Sequence, residues 1–370
     1  MSQVKIILSV EHPAWVHQFK YVIENLKRQG HEVKVVAIKK DVTIDLLNAY
    51  NIPYELISES SGKGILEKGL IFLRTTWEIF KICRESKPDI FIGRASPMMA
   101  INSFLFRKPH IVFEDSEPSR FCLWICKLFS DVIITPTCFT RDLGRKQIRI
   151  NANKELFYLN PTYFHPDPKV LDLMGLKYGD RYIILRFVAW NAHHDVGQHG
   201  IRDKIGIVRK IEEFGRVYIT SEDTLPDELK KYQIPVPPEE IHNILYFATL
   251  FFSDSQTMTT EAALLGTPAV RCNSFVGEND MGNFLELEKK YGLIFNCKSE
   301  VEALEVAFNI LKTPDVKNEW AKKREHLMEE KIDVTAFMVW FIENYPQSFA
   351  EMKEHPGMQF PCASAPSDVL

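Results

Sequence analysis

One stretch constrains this chain more than any other. An apolar run, Leu250-Phe251-Phe252, breaks into the polar turn Ser253-Asp254-Ser255-Gln256-Thr257, and Met258 to Leu265 then has the pattern of a helix. Gly266 and Pro268 stop that helix, Gly as a left-handed cap and Pro because it cannot continue the ladder. Ala269-Val270 restarts a strand at once. A strand, a polar turn, a helix and a new strand in so few residues is the βαβ unit of a parallel sheet.

That unit carries chemistry as well as topology. The backbone N–H groups of a helix's first turn have no intrahelical acceptor, and the helix dipole adds partial positive charge there. With the side chains of Ser255, Gln256 and Thr257 the turn is suited to a phosphate or diphosphate. Glu261 follows Thr257 by four residues, on the same helix face, where a carboxylate can accept from vicinal hydroxyls such as those of a ribose. The plainer alternative makes Asp254 or Ser255 an N-cap and Glu261 a solvated helix residue.

The amino terminus repeats the theme. Val4 to Val10 is a near-continuous apolar strand, Trp15 to Arg28 an amphipathic helix and Val33 to Ile38 a second strand. The intervening loop, Glu11-His12-Pro13-Ala14, contains no Gly-x-Gly-x-x-Gly, which argues against a dinucleotide cofactor. His12 lies at the carboxyl end of the first strand, facing the crevice where open α/β sheets bind ligands, as a general base or as a helix-capping histidine. Further strands follow at Tyr54 to Ile57, Ile90 to Gly93 and His110 to Phe113. The last ends in Glu114, Asp115 and Glu117, either an acceptor-side base or a solvated loop. Phe121 to Phe129 is apolar on nearly every side, so this helix is either buried or touches a membrane or partner, and a core helix is the expectation. Arg141, Arg145, Lys146 and Arg149 have the pattern of a solvated basic face.

The proline-rich, aperiodic stretch Pro161 to Pro168 places an interdomain linker. This gives domains over 1–165 and 166–333, a closing helical segment over 334–353 that packs back, and a disordered tail over 354–370. In the second half the buried strand Tyr182 to Val188 carries Arg186, the natural cation for a diphosphate. A loop with Asn191, His193, His194 and Asp195 follows, better suited to hydrogen bonding a sugar or phosphate than to metal, and the next strand ends in Ser221-Glu222.

Composition narrows the partners. Apolar residues at 45% and charged residues at 25% are the proportions of a globular protein. A net charge of −4 leaves no electrostatic footprint for nucleic acid. Seven scattered cysteines, and an amino-terminal apolar run too short for a signal peptide, predict a reducing, cytoplasmic setting, free or on a membrane surface.

The run Asp254-Ser255, Glu261-Ala262, Leu265-Gly266-Thr267-Pro268 resembles the donor-site motif of GT-B glycosyltransferases and of the non-hydrolysing UDP-N-acetylglucosamine 2-epimerases. In those families the small residues after Asp-Ser bind the nucleotide diphosphate and the glutamate binds the ribose. Gln256-Thr257 stand where the epimerases usually have Gly-Gly, which counts against epimerase activity. The runs His12 to His17, Glu155 to Pro161, Asn191 to Asp195, Ser253 to Met258 and Tyr291 to Ile294 resemble a prokaryotic domain-of-unknown-function family, number three-five-four.

The resemblance implies a GT-B-like α/β fold, two Rossmann-like domains with parallel sheets facing across a cleft, nucleotide on the second and acceptor on the first. It implies a glycosyltransferase in surface polysaccharide or glycolipid synthesis. Ser255, Gln256, Thr257 and Arg186 would hold the diphosphate and Glu261 the ribose. Asn191, His193, His194, Ser221 and Glu222 would complete the substrate contacts. His12, or a carboxylate of Glu114, Asp115 and Glu117, would deprotonate the acceptor. The expected partners are a nucleotide-sugar donor and a sugar, glycan or lipid-linked acceptor, with peripheral membrane contact and neither metal nor other cofactor. The alternatives are a nucleotide-sugar 2-epimerase and a non-catalytic nucleotide-sugar-binding protein.

Overall fold

The computed structural model describes residues 3–59, 65–188, 199–222 and 224–357. The chain divides into two compact units, Met1–Asn160 with Lys331–Leu370, and Pro161–Glu330. The tail expected to be disordered lies mostly outside the described residues, which end at 357.

Seven strands build the first unit: β1 (Lys5–Val10), β2 (Glu32–Lys39), β3 (Tyr54–Glu59), β4 (Ile90–Gly93), β5 (His110–Phe113), β6 (Val132–Pro136) and β7 (Gln147–Ile150). They pair in the order β3-β2-β1-β4-β5-β6-β7, every neighbour parallel. Parallel strands are covered by helices on both faces, which is why β1, β4, β5 and β6 are almost wholly buried and mostly apolar. The strand order reverses direction between β1 and β4. With right-handed crossovers, the helices Ile65–Ser86, Pro97–Phe106 and Arg120–Phe129 then share one face of the sheet. They pack on one another in that sequence. Helix Pro13–Arg28 packs instead against Leu156–Leu159 and Val334–Glu343, so the chain from Lys331 onward belongs to this first unit.

The core shows where the sequence expectation fails. Helix Arg120–Phe129 buries only Leu123 and Cys126, against Val112 and Ile133, while Phe121, Trp124 and Leu128 are exposed. A helix lying on a sheet has one buried stripe whatever the polarity of its other residues. Within the basic group, Arg145 is exposed as expected but Arg149 is not simply solvated. Arg149 lies within β7 and donates to the Arg141 carbonyl at 2.8 Å, closing the turn that leads into this edge strand.

The second unit has five parallel strands: β8 (Tyr182–Phe187), β9 (Arg216–Ser221), β10 (Leu250–Ser253), β11 (Ala269–Cys272) and β12 (Ile294–Cys297). Their order is β12-β11-β10-β8-β9. The βαβ unit read from the sequence is β10, helix Thr257–Leu264 and β11. Gly266 has φ +76°, the left-handed cap, and the N–H groups of Gly266 and Thr267 close onto the Ala263 and Ala262 carbonyls at 2.9 Å. In this sheet the order reverses between β8 and β10. Each sheet therefore has a switch point, where successive loops diverge at the carboxyl ends of the strands and open a crevice.

Candidate functional site

At the carboxyl edge of the second sheet, one register line runs through Thr220, Arg186, Ser253, Arg271 and Asn296, a polar residue on every strand. The switch point lies at Arg186 and Ser253. Asp254, the first residue after β10, is 1% exposed. Its two carboxylate oxygens accept from the N–H of Val188 at 2.9 Å and of Ile201 at 3.1 Å. Asp254 is therefore not a helix cap. It ties together both feet of the β8 loop, a constraint between residues more than fifty positions apart. Asn191, His193 and His194 belong to that loop and lie outside the described residues.

Ser253 and Ser255 shape the turn. Ser253 Oγ accepts from the Ser255 N–H at 2.7 Å and donates to the Arg186 carbonyl at 3.1 Å. Thr259 Oγ1 donates to the Ser255 carbonyl at 2.6 Å. Helix Thr257–Leu264 then begins at Gln256 with no side-chain cap. Residues 253–255 and 259–265 are buried, whereas Gln256, Thr257 and Met258 are half-buried. The uncapped first turn is thus also the part of this motif that reaches the surface, and its amides and dipole present positive potential there.

Glu261 does not lie on a solvated face. It is 3% exposed, with Oε1 3.1 Å from Nε2 of the equally buried His242 on helix Ile241–Phe247. Arg186 donates to Thr220 Oγ1 at 2.6 Å and pairs with Glu222 at 2.7 Å, so much of its charge is already balanced. Among the described residues, Arg186 Nε and Ser221 Oγ are buried without a hydrogen-bond partner. Both lie beside the β8 loop.

Sequence reasoning missed Arg271, a fully buried guanidinium. It pairs with Asp280 at 2.7 and 3.1 Å, donates to Asn296 at 2.8 Å and stacks over Phe284 at 3.6 Å. Its neighbour Asn273 donates to the Asp254 carbonyl at 3.0 Å, so this buried pair braces the motif from behind. The signal available in the sequence was an arginine in an otherwise apolar strand.

The first sheet's carboxyl edge gathers a second set of polar groups. His12 is the N-cap of helix Pro13–Arg28, its Nδ1 accepting from the Ala14 N–H at 3.2 Å. A doubly protonated ring has no acceptor nitrogen and would lose that bond. His17, on the same helix, is buried against Tyr50 and Tyr158. Beyond β4 and β5, the carboxylates expected in a solvated loop are enclosed. Arg94 bridges Glu114 and Asp115, the latter at 2.6 Å, and Lys154 approaches Asp115 at 3.4 Å. Glu114 also accepts from the N–H groups of Ala95, Asp115 and Ser116. Burial alone would raise the Asp115 carboxyl, but Arg94 and Lys154 together outweigh burial and hold it below the usual carboxylate range. Glu117 accepts from the Thr140 N–H at 3.2 Å. Asp115 is thus a locked anion and Glu117 anchors a neighbouring turn.

Glu11 is different, and sequence reasoning passed over it. It follows β1 at the switch point, near Ser9 and Ser96, and burial pushes its carboxyl up to about 7. The nearby hydroxyls of Ser96 and Ser9 and the charge of Lys40 pull the other way without cancelling burial. Among the described residues, Glu11 Oε1, Ser9 Oγ, Gln18 Nε2, Arg94 Nε and both amide atoms of Asn153 are buried without a partner. Native interiors satisfy nearly all such groups, so these atoms make this sheet edge a polar, hydrogen-bonding surface.

Two parallel α/β sheets, each with a switch-point crevice, define the class: the fold is GT-B-like. A UDP-GlcNAc 2-epimerase from Neisseria meningitidis, solved with UDP-GlcNAc, is similar at TM-score 0.60 and 13% identity, over 86% of this chain and 94% of that one. An S. aureus MnaA–UDP co-structure is similar at 0.64 and 11%, over 95% and 98%. Acinetobacter baumannii MurG is similar at 0.57 and 15%, over 92% and 99%. The chain belongs to the family described as Protein of unknown function (DUF354), which matches residues 4–297. An uncharacterized protein of Methanocaldococcus jannaschii is 21% identical over 285 residues, 74% of this chain and 82% of the relative.

Proposed function

We propose that this protein is a glycosyltransferase that takes a nucleotide-diphosphate sugar at the β8/β10 edge and delivers the sugar to an acceptor hydroxyl at the β1/β4 edge. The observation that carries the reading is the uncapped, half-buried helix turn Gln256-Thr257-Met258 at the switch point of the second sheet. Its amides and dipole would stabilise the charge that develops on the leaving diphosphate, so the residues themselves supply the electrophilic help. Arg186 would join on exchanging Glu222 for phosphate, and Glu261 would accept from the ribose beside His242. Asn191, His193, His194, Ser221 and Glu222 are proposed to complete the donor contacts. Proteins of the same fold bind UDP or UDP-GlcNAc, as their structures state, which supports this class of donor.

On the acceptor side the reading assigns the base to Glu11, since His12 Nδ1 serves the helix cap and Asp115 is held by two cations. A carboxyl near neutrality loses and regains a proton readily at working pH. The same property suits proton abstraction from a sugar carbon, so a 2-epimerase remains the second reading, with the similarity to the Neisseria enzyme in its favour. Proton NMR of a sugar nucleotide incubated without acceptor separates the two, because only an epimerase changes it.

The test of the donor site is a panel of UDP, GDP, CDP and dTDP sugars, followed by calorimetry on Thr257→Asp. An acidic residue in the first turn stabilises a helix. The variant should therefore fold at least as well as the parent yet bind the diphosphate at least tenfold more weakly. Equal affinity in the two proteins, or no binding of any sugar nucleotide to the parent, refutes the assignment.

A further inference from the structure

We infer that the outer face of the layer formed by helices Ile65–Ser86, Pro97–Phe106 and Arg120–Phe129 docks onto an anionic lipid bilayer. The face is apolar and aromatic where a solvated helix layer would be polar. Leu73 and Trp77 on the first helix, Phe104 on the second, and Phe121, Trp124 and Leu128 on the third are all more than half exposed. Ring contacts make the surface continuous from helix to helix. Trp77 stacks on Phe80 at 5.2 Å, Phe80 meets Phe106 at 5.0 Å, and Phe104 meets Phe129 at 5.1 Å. A contiguous apolar surface of this kind on one unit marks an interaction site rather than scatter.

Charge selects the occupant. The second and third helices, PMMAINSFLF and RFCLWICKLF, contain no aspartate or glutamate. Exposed Arg107, Arg120 and Lys127 border them, on a chain whose net charge is −4. The first helix is mixed, carrying Arg74, Lys81 and Arg84 alongside Glu67, Glu78 and Glu85. Tryptophan between apolar side chains and a basic rim suits the headgroup region, where long cationic side chains reach phosphates while the rings enter the acyl boundary. A second copy of the chain fits worse. A two-fold interface sets the same patch against itself, and of its three helices only the first carries acids, already mixed with its own Arg74, Lys81 and Arg84, to meet Arg107, Arg120 and Lys127.

The position is informative too. Helix Arg120–Phe129 starts five residues after Asp115, at the carboxyl edge where Glu11, Arg94 and Asp115 gather. Docking through Phe121 and Trp124 brings that edge to the headgroups, which makes a lipid-linked hydroxyl the acceptor class. The bilayer contact stands independently of the transfer reaction, and only this choice of acceptor rests on the function proposed above.

Vesicle flotation tests it, comparing phosphatidylglycerol-rich with pure phosphatidylcholine vesicles at low and high salt. The parent should float with the anionic vesicles at low salt and be released by high salt. Phe121→Ser/Trp124→Ser, at two exposed positions, should keep the parent's melting temperature and sugar-nucleotide affinity but lose vesicle affinity more than tenfold. Arg120→Gln/Lys127→Gln should lose roughly fivefold per residue, from about 1 kcal/mol for each basic side chain near such a surface. Failure of the parent to float with either vesicle overturns the inference. So does a parent dimer in sedimentation that Trp124→Ser converts to monomer, which would give the face to self-association. Retained nucleotide binding in these experiments separates failure here from failure of the donor site.

Discussion

Replacing Glu11 with glutamine isolates a single buried proton. In the folded chain the carboxyl holds its proton to about pH 7, whereas the unfolded chain releases it near 4.5. Between those values the folded state binds more protons than the unfolded one, so stability falls as pH rises across the window. A shift of this size corresponds to about 3 kcal/mol, fully lost above pH 7. Glutamine keeps the shape and cannot ionise. Glu11→Gln should therefore match the parent near pH 4.5 and exceed it by up to about 3 kcal/mol near pH 8. For a unit of this size that is roughly 6–12 °C in the unfolding midpoint. Melting curves of both proteins across this pH range give the difference directly, because every other titrating group is common to the two. Parallel midpoint curves, with a gap that does not change with pH, would show that Glu11 ionises like an exposed carboxylate and would refute the reasoning. If Glu11 is also the acceptor base, turnover by the parent should rise through pH 7 and the stabilised variant should be inactive. That combination is the usual signature of a group kept at a cost to stability for chemistry.

His12→Ala removes the acceptor that caps helix Pro13–Arg28 and should cost about 1 kcal/mol of stability while turnover persists. Complete loss of turnover with an unchanged melting curve would return the base to His12. Asp254→Ala leaves the N–H groups of Val188 and Ile201 without their acceptor, at about 1–3 kcal/mol each, and should weaken nucleotide-sugar binding in calorimetry by loosening the β8 loop. Arg271→Met strands the buried Asp280 carboxylate and should cost about 3–5 kcal/mol in denaturant unfolding. Adding Asp280→Leu should recover much of that loss; a double variant no more stable than Arg271→Met would argue against the uncompensated charge.

What the sequence determined by itself was local. Apolar runs such as Ile6 to Val10 and Leu250 to Phe252 are parallel strands because both of their faces are covered. Gly266 and Pro268 end a helix by backbone geometry that needs no partner. The switch points needed strand order, and β7 escaped notice because an edge strand such as Gln147–Ile150 can be polar. Tertiary structure decided the partners. Glu261 meets His242, nineteen residues earlier, and Asp254 reaches Val188 across sixty-six. Glu114 and Asp115 sink into ion pairs with Arg94, while Phe121 and Trp124, apolar enough for a core, lie outside one. The reason is physical: periodicity and turn chemistry act over a few bonds, but burial and charge pairing depend on which strands and helices come to lie side by side.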